Sequence, residues 1–223
     1  MINWKLIVTE TANGNLPAGA VLTLCITAGA VAIGIVVGLV IAMMRLNARI
    51  WLRIPAQIYI EAFRGTPMLV QIYLFYFGVF PMLGLSRLSA VWPAIVAIGL
   101  NSGAYMGEIF RGGILSIDKG QREAALSLGM KNHQVMGYVI LPQALTNALP
   151  AICNEFITLI KDSSLGSAVA VAELTYRAYL VASRTYEHFT MFTGIAIYYF
   201  IMTFVTSRIL AVVEKRMRKG HAA

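Results

Sequence analysis

Charge is what this sequence has least of. Only 13% of its 223 residues are Asp, Glu, Lys or Arg, about half the share of a soluble domain. A water-facing globule is therefore excluded. Cysteine is nearly absent too. Cys25 and Cys153 fall in separate apolar runs without metal-ligand spacing, which argues against a disulfide framework or a cysteine metal centre. Both read as small apolar core residues. His133, His188 and His221 are scattered and define no site. No GxxxxGK[ST] stretch occurs, so the chain carries no nucleotide-binding loop of its own. No Ser/His arrangement or pair of acids with a motif suggests a hydrolase, so no catalytic residue and no metal site is assigned.

What is present is long apolar sequence. Hydrophobic residues make up 58% of the chain, gathered in runs near the ~20 residues that a membrane span needs. The first, Ala18 to Met44, holds no charge over 27 residues. It begins too late and runs too long for a signal peptide, whose apolar core is about 7–15 residues, so it reads as an uncleaved span. Further runs are Gly65 to Leu85, Leu88 to Gly107, Ala144 to Ala172 and Phe189 to Val213. The expected fold is an all-α integral membrane protein of about five transmembrane helices, one domain over 1–223.

Basic residues orient it. Arg45, Arg49, Arg53, Arg64, Arg111, Lys119, Arg122, Lys131 and the C-terminal Lys215, Arg216, Arg218 and Lys219 fall on one side. Lys5, Arg87, Arg177 and Arg184 fall on the other. Because positive loops stay cytoplasmic, the N-terminus is expected outside and the C-terminus in the cytoplasm. The net charge of +8 then reflects membrane anchoring, not nucleic-acid binding.

A polar stretch, 111–142, separates spans three and four. Within it, "QREAALSLG" is rich in helix formers and closes on Gly129, a residue suited to a left-handed cap. "KNHQVMGYVILP" restarts with Asn132 as a candidate N-cap and is expected to stop before Pro142. The small apolar face of Ala124, Ala125 and Leu128 suits a pocket on another protein. A solvated connector, or helices lying on the headgroups, is the plainer alternative.

Ionisable residues inside spans are costly, which makes them candidates for function. In span four, Glu155, Thr158 and Asp162 share one helical face, and Asn154, Thr158 and Lys161 form an adjacent stripe. They can meet the ammonium and carboxylate of an amino acid, or brace helices through a Lys–Asp or Lys–Glu pair. In span three, Asn101, Tyr105 and Glu108 line one face, expected to border a pathway. Gly99, Gly103 and Gly107 line another, expected to pack on a neighbour. Glu108 is expected to pair with Arg111, and Glu61 with Arg64.

Several motifs agree in order and spacing. They are "FRGTPMLVQIYLFYFG", "YMGEIFRGGILSIDKGQREAALSLG", "VILPQAL" and "KDSSLGS". Glu123-Ala124-Ala125, Gly129 and Ile140-Leu141-Pro142 resemble the EAA loop of ATP-binding-cassette importer permeases. Over roughly Leu22 to Val213 the chain resembles the polar amino-acid permease family, which includes the membrane subunits of histidine and glutamine importers. The resemblance implies a coupling helix, with Glu123, Ala124, Ala125 and Gly129 contacting a separate ATPase. It also implies an extracytoplasmic amino-acid-binding protein, a second permease chain (identical or related) and residence in a bacterial inner membrane. The substrate pathway would draw on Asn101, Tyr105, Glu155, Thr158, Lys161 and Asp162. No cofactor is expected in this chain; ATP and Mg would sit in the partner. A proton- or sodium-driven transporter is the rival class, disfavoured by the lack of an internal repeat.

Overall fold

The computed structural model describes residues 2–219, which are helical with no strand among them. His221, and the side chains of Arg218 and Lys219, lie outside the described part. A short helix α1 (Trp4–Ala12) precedes the long α2 (Asn15–Leu46). Then come α3 (Ile50–Gly65), α4 (Met68–Leu74), a π-helical turn (Phe75–Val79) and α5 (Phe80–Met82). The central helix is α6 (Val91–Leu115). After it come α7 (Lys119–Ser127), α8 (Asn132–Gln134), a second π-helical turn (Val135–Ile140) and α9 (Leu141–Asp162). A 3-10 helix (Ser163–Val169), α10 (Leu174–Thr185) and α11 (His188–Lys219) complete the chain.

The architecture turns on how α2 meets α6. Modelling a Cβ onto Gly99, Gly103 or Gly107 of α6 would bring it within 2.7 Å of Ile33, Val37 or Ile41 of α2. The reverse holds as well: Gly34 of α2 receives Ser102, and Gly38 receives Met106. Each helix sets glycines four residues apart against larger side chains of the other, so the backbones approach closely. Lipid tails are as apolar as leucine, so such close van der Waals packing, not water exclusion, drives association. The glycine face expected of span three is this one.

Both numbering series rise together, so α2 and α6 run parallel. Parallel neighbours need a return stroke between them, and α3 to α5 supply it. Gly113 of α6 lies against Ala144 and Ala148 of α9, while Ser102 bonds Glu155, so α9 runs antiparallel to α6. At the end where α2 begins, α10 is wedged between α2 and α11 through Leu16, Ala178, Val181, Met191 and Ile195.

Three helical stretches are long and apolar enough to cross a membrane: Asn15–Leu46, Asn132–Val169 and His188–Met217. A fourth is the pair Ile50–Gly65 and Met68–Met82, bent by 106°. With 25 residues, α6 is long enough to cross but is not among these stretches. The expected count of about five is reached only with α6, of whose polar residues Asn101 and Ser102 are buried, Glu108 and Arg111 half-buried and Tyr105 exposed. The second span also begins earlier than Gly65. Its first half, α3, was hidden by Arg53, Gln57, Glu61 and Arg64. The "KDSSLGS" stretch does loosen the helix, into the 3-10 segment that follows α9.

The break between α3 and α4 falls at Thr66-Pro67 and strips partners from nearby carbonyls. Gln71 repairs it. Its Nε2 donates to the Phe63 carbonyl (2.8 Å), the Thr66 carbonyl (3.1 Å) and Thr66 Oγ1 (2.8 Å). Asn101 of α6 joins, donating to the Phe63 carbonyl at 3.1 Å and to Gln71 Oε1 at 2.9 Å. Asn101 is only 4% exposed. Its side chain is spent on closing the bent span.

Two further expectations are corrected. The helix does not stop before Pro142: it widens into the π-helical turn 135–140 and continues to Asp162. Pro81 likewise follows a π-helical turn. A proline ring clashes with the carbonyl four residues back, and a widened turn relieves that clash. Cys25 is exposed, not core; Cys153 is buried as expected.

Gly103→Val is expected to force α2 from α6 at a cost of ~1–3 kcal/mol, read as a lower thermal midpoint in detergent. Gly112→Ala, on the same helix with nothing within 4 Å of the new Cβ, should leave the midpoint in place. Equal midpoints would show that glycine does not set this spacing. Gln71→Leu, by orphaning buried carbonyls, is expected to cost ~1–3 kcal/mol; an unchanged midpoint would dismiss its bridging role.

Candidate functional site

Two regions concentrate polar chemistry, a seam along α9 and the loop from α6 to α9. On α9, Asn147, Ala151, Asn154, Thr158 and Lys161 follow one another at alternating four- and three-residue steps, and all are exposed. Such a stripe is an anomaly on a helix apolar enough to span a membrane. Beside it, Glu155 and Asp162 are half-buried. Glu155 Oε1 accepts from Ser102 Oγ at 2.9 Å. No Lys–Asp or Lys–Glu salt bridge forms between Lys161 and either acid among the described residues. Both carboxylates and the ammonium remain available at one edge of the bundle.

Ser102 and Gln71 were missed by the sequence reading. Ser102 adjoins Asn101 and sits in the Gly34 notch. Gln71 is the one amide in "PMLVQIYLF", but its purpose is visible only once the break between α3 and α4 is known.

Toward the arginine-rich end, Tyr105 lies beneath Arg64, 5.1 Å from guanidinium carbon to ring centre. The pair borders a cleft of about 390 Å³ that also takes in Arg45, Gln57, Glu61 and Glu108. Glu108 accepts from Arg111 at 2.7 Å, the pairing expected, and sits 3.7 Å from Arg45 Nε. Glu61 does not pair with Arg64: it accepts from Gln57, one turn back.

The loop is a fixed object. Asp118 caps α7 by accepting from Gly120 N at 2.6 Å. At its other end Gly129 adopts φ +82°. The Gly129 and Met130 amides donate to Leu126 and Ala125 carbonyls, the paired bonds of a Schellman cap. Any residue with a Cβ is disfavoured at that φ. Asn132 opens α8 as its first residue, with Lys131 at the cap, and accepts from Arg122 across the bend at 3.1 Å. Ala125 is buried with Val135 and Ile140, over Ile114 and Ile117 from the end of α6. Of the four expected contact residues, Ala125 thus faces the protein, while Glu123, Ala124 and Gly129 are exposed. Leu128 is 84% exposed and Tyr138 78%, an apolar surface on a projecting element.

Known proteins share this arrangement. A family model described as binding-protein-dependent transport system inner membrane component matches residues 34–219. An octopine transport system permease protein of Rhizobium meliloti is 40% identical over 207 residues, covering 89% of this chain and 84% of its own length. An arginine transport system permease protein of Bacillus subtilis is 36% identical over 205 residues, covering 91% and 92%. In a crystal structure of an amino acid ABC transporter with histidines, one chain is 40% identical with a TM-score of 0.88, over 97% of this chain and 99% of that one. Matched by that family model and by these relatives over most of its length, this chain belongs among the binding-protein-dependent transport system inner membrane components, as a permease subunit of an amino-acid ABC transporter.

Proposed function

We infer that this permease imports a polar L-amino acid, a cationic one by preference, across a bacterial inner membrane. The observation that carries this reading is the seam on α9. Two half-buried carboxylates flank an exposed stripe of Asn154, Thr158 and Lys161 on a membrane-spanning helix. An amino-acid zwitterion offers an ammonium to the acids and a carboxylate to Lys161. The excess of acid, Glu155 and Asp162 against one lysine, favours a substrate with an extra positive charge. A relative named for arginine agrees with that preference.

The stripe is open on the single chain, so a second permease subunit, identical or related, would close it into a pathway. Arg64 and Tyr105 then stand between the seam and the arginine-rich end, where a departing carboxylate would pass. That end is cytoplasmic and the N-terminus external, following the side on which arginine and lysine collect. There the α7 loop would dock into a separate ATP-binding subunit through Glu123, Ala124 and Leu128. Movement of that subunit passes through Ala125 to the Ile114–Ile117 end of α6. ATP and Mg belong to that partner, and an extracytoplasmic binding protein would deliver the amino acid at the opposite end.

Asp162→Asn and Glu155→Gln are expected to raise the transport KM for a cationic amino acid more than for a neutral one. Their thermal midpoints should stay near the wild type. A lowered midpoint with an unchanged KM ratio would return both acids to a bracing role. Gly129→Leu places a branched side chain at a left-handed position, at ~1–2 kcal/mol, and should misdirect the bend. The expected result is lost substrate-stimulated ATP hydrolysis in the assembled complex with normal membrane insertion; wild-type coupling would overturn the loop's assignment.

A further inference from the structure

We propose that the arginine-rich end of α2 holds one anionic phospholipid, its phosphate among Arg45, Arg53 and Arg111 and an acyl chain in the apolar groove beside them. Two clefts meet there. The first, about 660 Å³, is lined by those three arginines together with Asn47 and Gln57. The second, about 370 Å³, is walled by Leu39, Met43, Phe110, Ile114 and Leu145. Leu46 and Asn47 line both, so a polar chamber and an apolar one share a wall of two residues. A double-natured ligand fits that junction; a free ion or a water-soluble metabolite does not use the second chamber.

Charge points the same way. Arg45 and Arg111 share a single carboxylate, Glu108. Arg53 makes no salt bridge among the described residues. The cluster thus keeps two uncompensated positive charges, counting three guanidinium groups against Glu108. Arg45 Nε faces the Glu108 carboxylate at 3.7 Å without a hydrogen bond, so no hydrogen bond ties that guanidinium to the carboxylate it shares with Arg111.

Position supplies the third argument. The junction sits where the 32-residue α2 ends, at headgroup depth for a helix that spans a bilayer. Next to it α3 presents Trp51, Ile54 and Ile58, each at least half exposed. Arg49 lies over the Trp51 ring at 5.9 Å. An exposed tryptophan beside arginine marks the membrane interface, and Ile54 itself lines the arginine cleft. Basic pockets between spans at this depth recognise anionic headgroups.

The test uses the assembled transporter, permease with its ATPase subunit, released from detergent for native mass spectrometry during titration with phosphatidylglycerol. One phosphatidylglycerol retained per permease chain is expected, with phosphatidylcholine retained far less. Arg53→Gln should weaken retention about fivefold. Arg53 is exposed, so this variant keeps the fold. Arg49→Gln removes the same charge outside the cleft and should leave retention unchanged. Glycerol phosphate, a headgroup without a tail, should fail to displace the lipid. An assembled complex that retains no phosphatidylglycerol would overturn the proposal, showing the clefts covered by another subunit. Equal losses from Arg49→Gln and Arg53→Gln would reduce it to a diffuse basic surface. Displacement by glycerol phosphate would remove the acyl chain from the groove.

Discussion

The reciprocal fit of α2 and α6 is the contact on which the rest of the fold depends. Glycines at four-residue steps on each helix accept Ile33, Val37, Ile41, Ser102 and Met106 from the other. β-Branched side chains are stiff and lose little freedom when they seat, so the match is tight in one register. That register sets the height of Ser102, and through it of Glu155. It also sets the height of Asn101, and so of the bend between α3 and α4. A slip of one turn along this seam would disconnect the acids of α9 and the repair of the bent span together.

Polar groups inside this bundle sort by what they answer to. Gln71 and Asn101 answer to backbone: they occupy carbonyls freed at Thr66-Pro67, where hydrocarbon would leave them unsatisfied. Thr158 and Lys161 make no side-chain hydrogen bond or salt bridge among the described residues and are exposed. Buried amides bonded to backbone hold the fold together, and the open polar groups beside half-buried acids are the ones proposed to meet substrate. Asn101 and Thr158, grouped as one pathway by residue type, part company on this ground.

Much of this was legible in residue order. Spans α2 and α11 announced themselves because no acid or base interrupts Ala18 to Met44 and only Arg208 falls within Phe189 to Val213. Gly129 was readable as a left-handed cap because a helix-forming run ends on it. The glycine face of α6 was readable from its period. What was hidden depended on partners distant in sequence. The start of α3 was masked by Arg53, Gln57, Glu61 and Arg64, which stay largely exposed while Ala56 and Ile60 on the opposite face pack inward. The passage of the helix through Pro142 was masked because a widened turn leaves no mark in composition. Ala125 looked like its neighbour Ala124 until Val135 and Ile140 folded over it.

The modest apolarity of α6 bears on how the protein is made. A segment carrying Asn101, Ser102, Tyr105 and Glu108 partitions into hydrocarbon less readily than α2 does. By the time it leaves the ribosome, α2 is already synthesised, and its glycine notches offer α6 a protein surface instead of lipid. Helix order along the gene is then a biogenesis programme: a strongly inserting helix first, a marginal one received by it later. A chain permuted so that α6 emerged before α2 would keep every native contact in principle, and would stall at the translocon for want of a host.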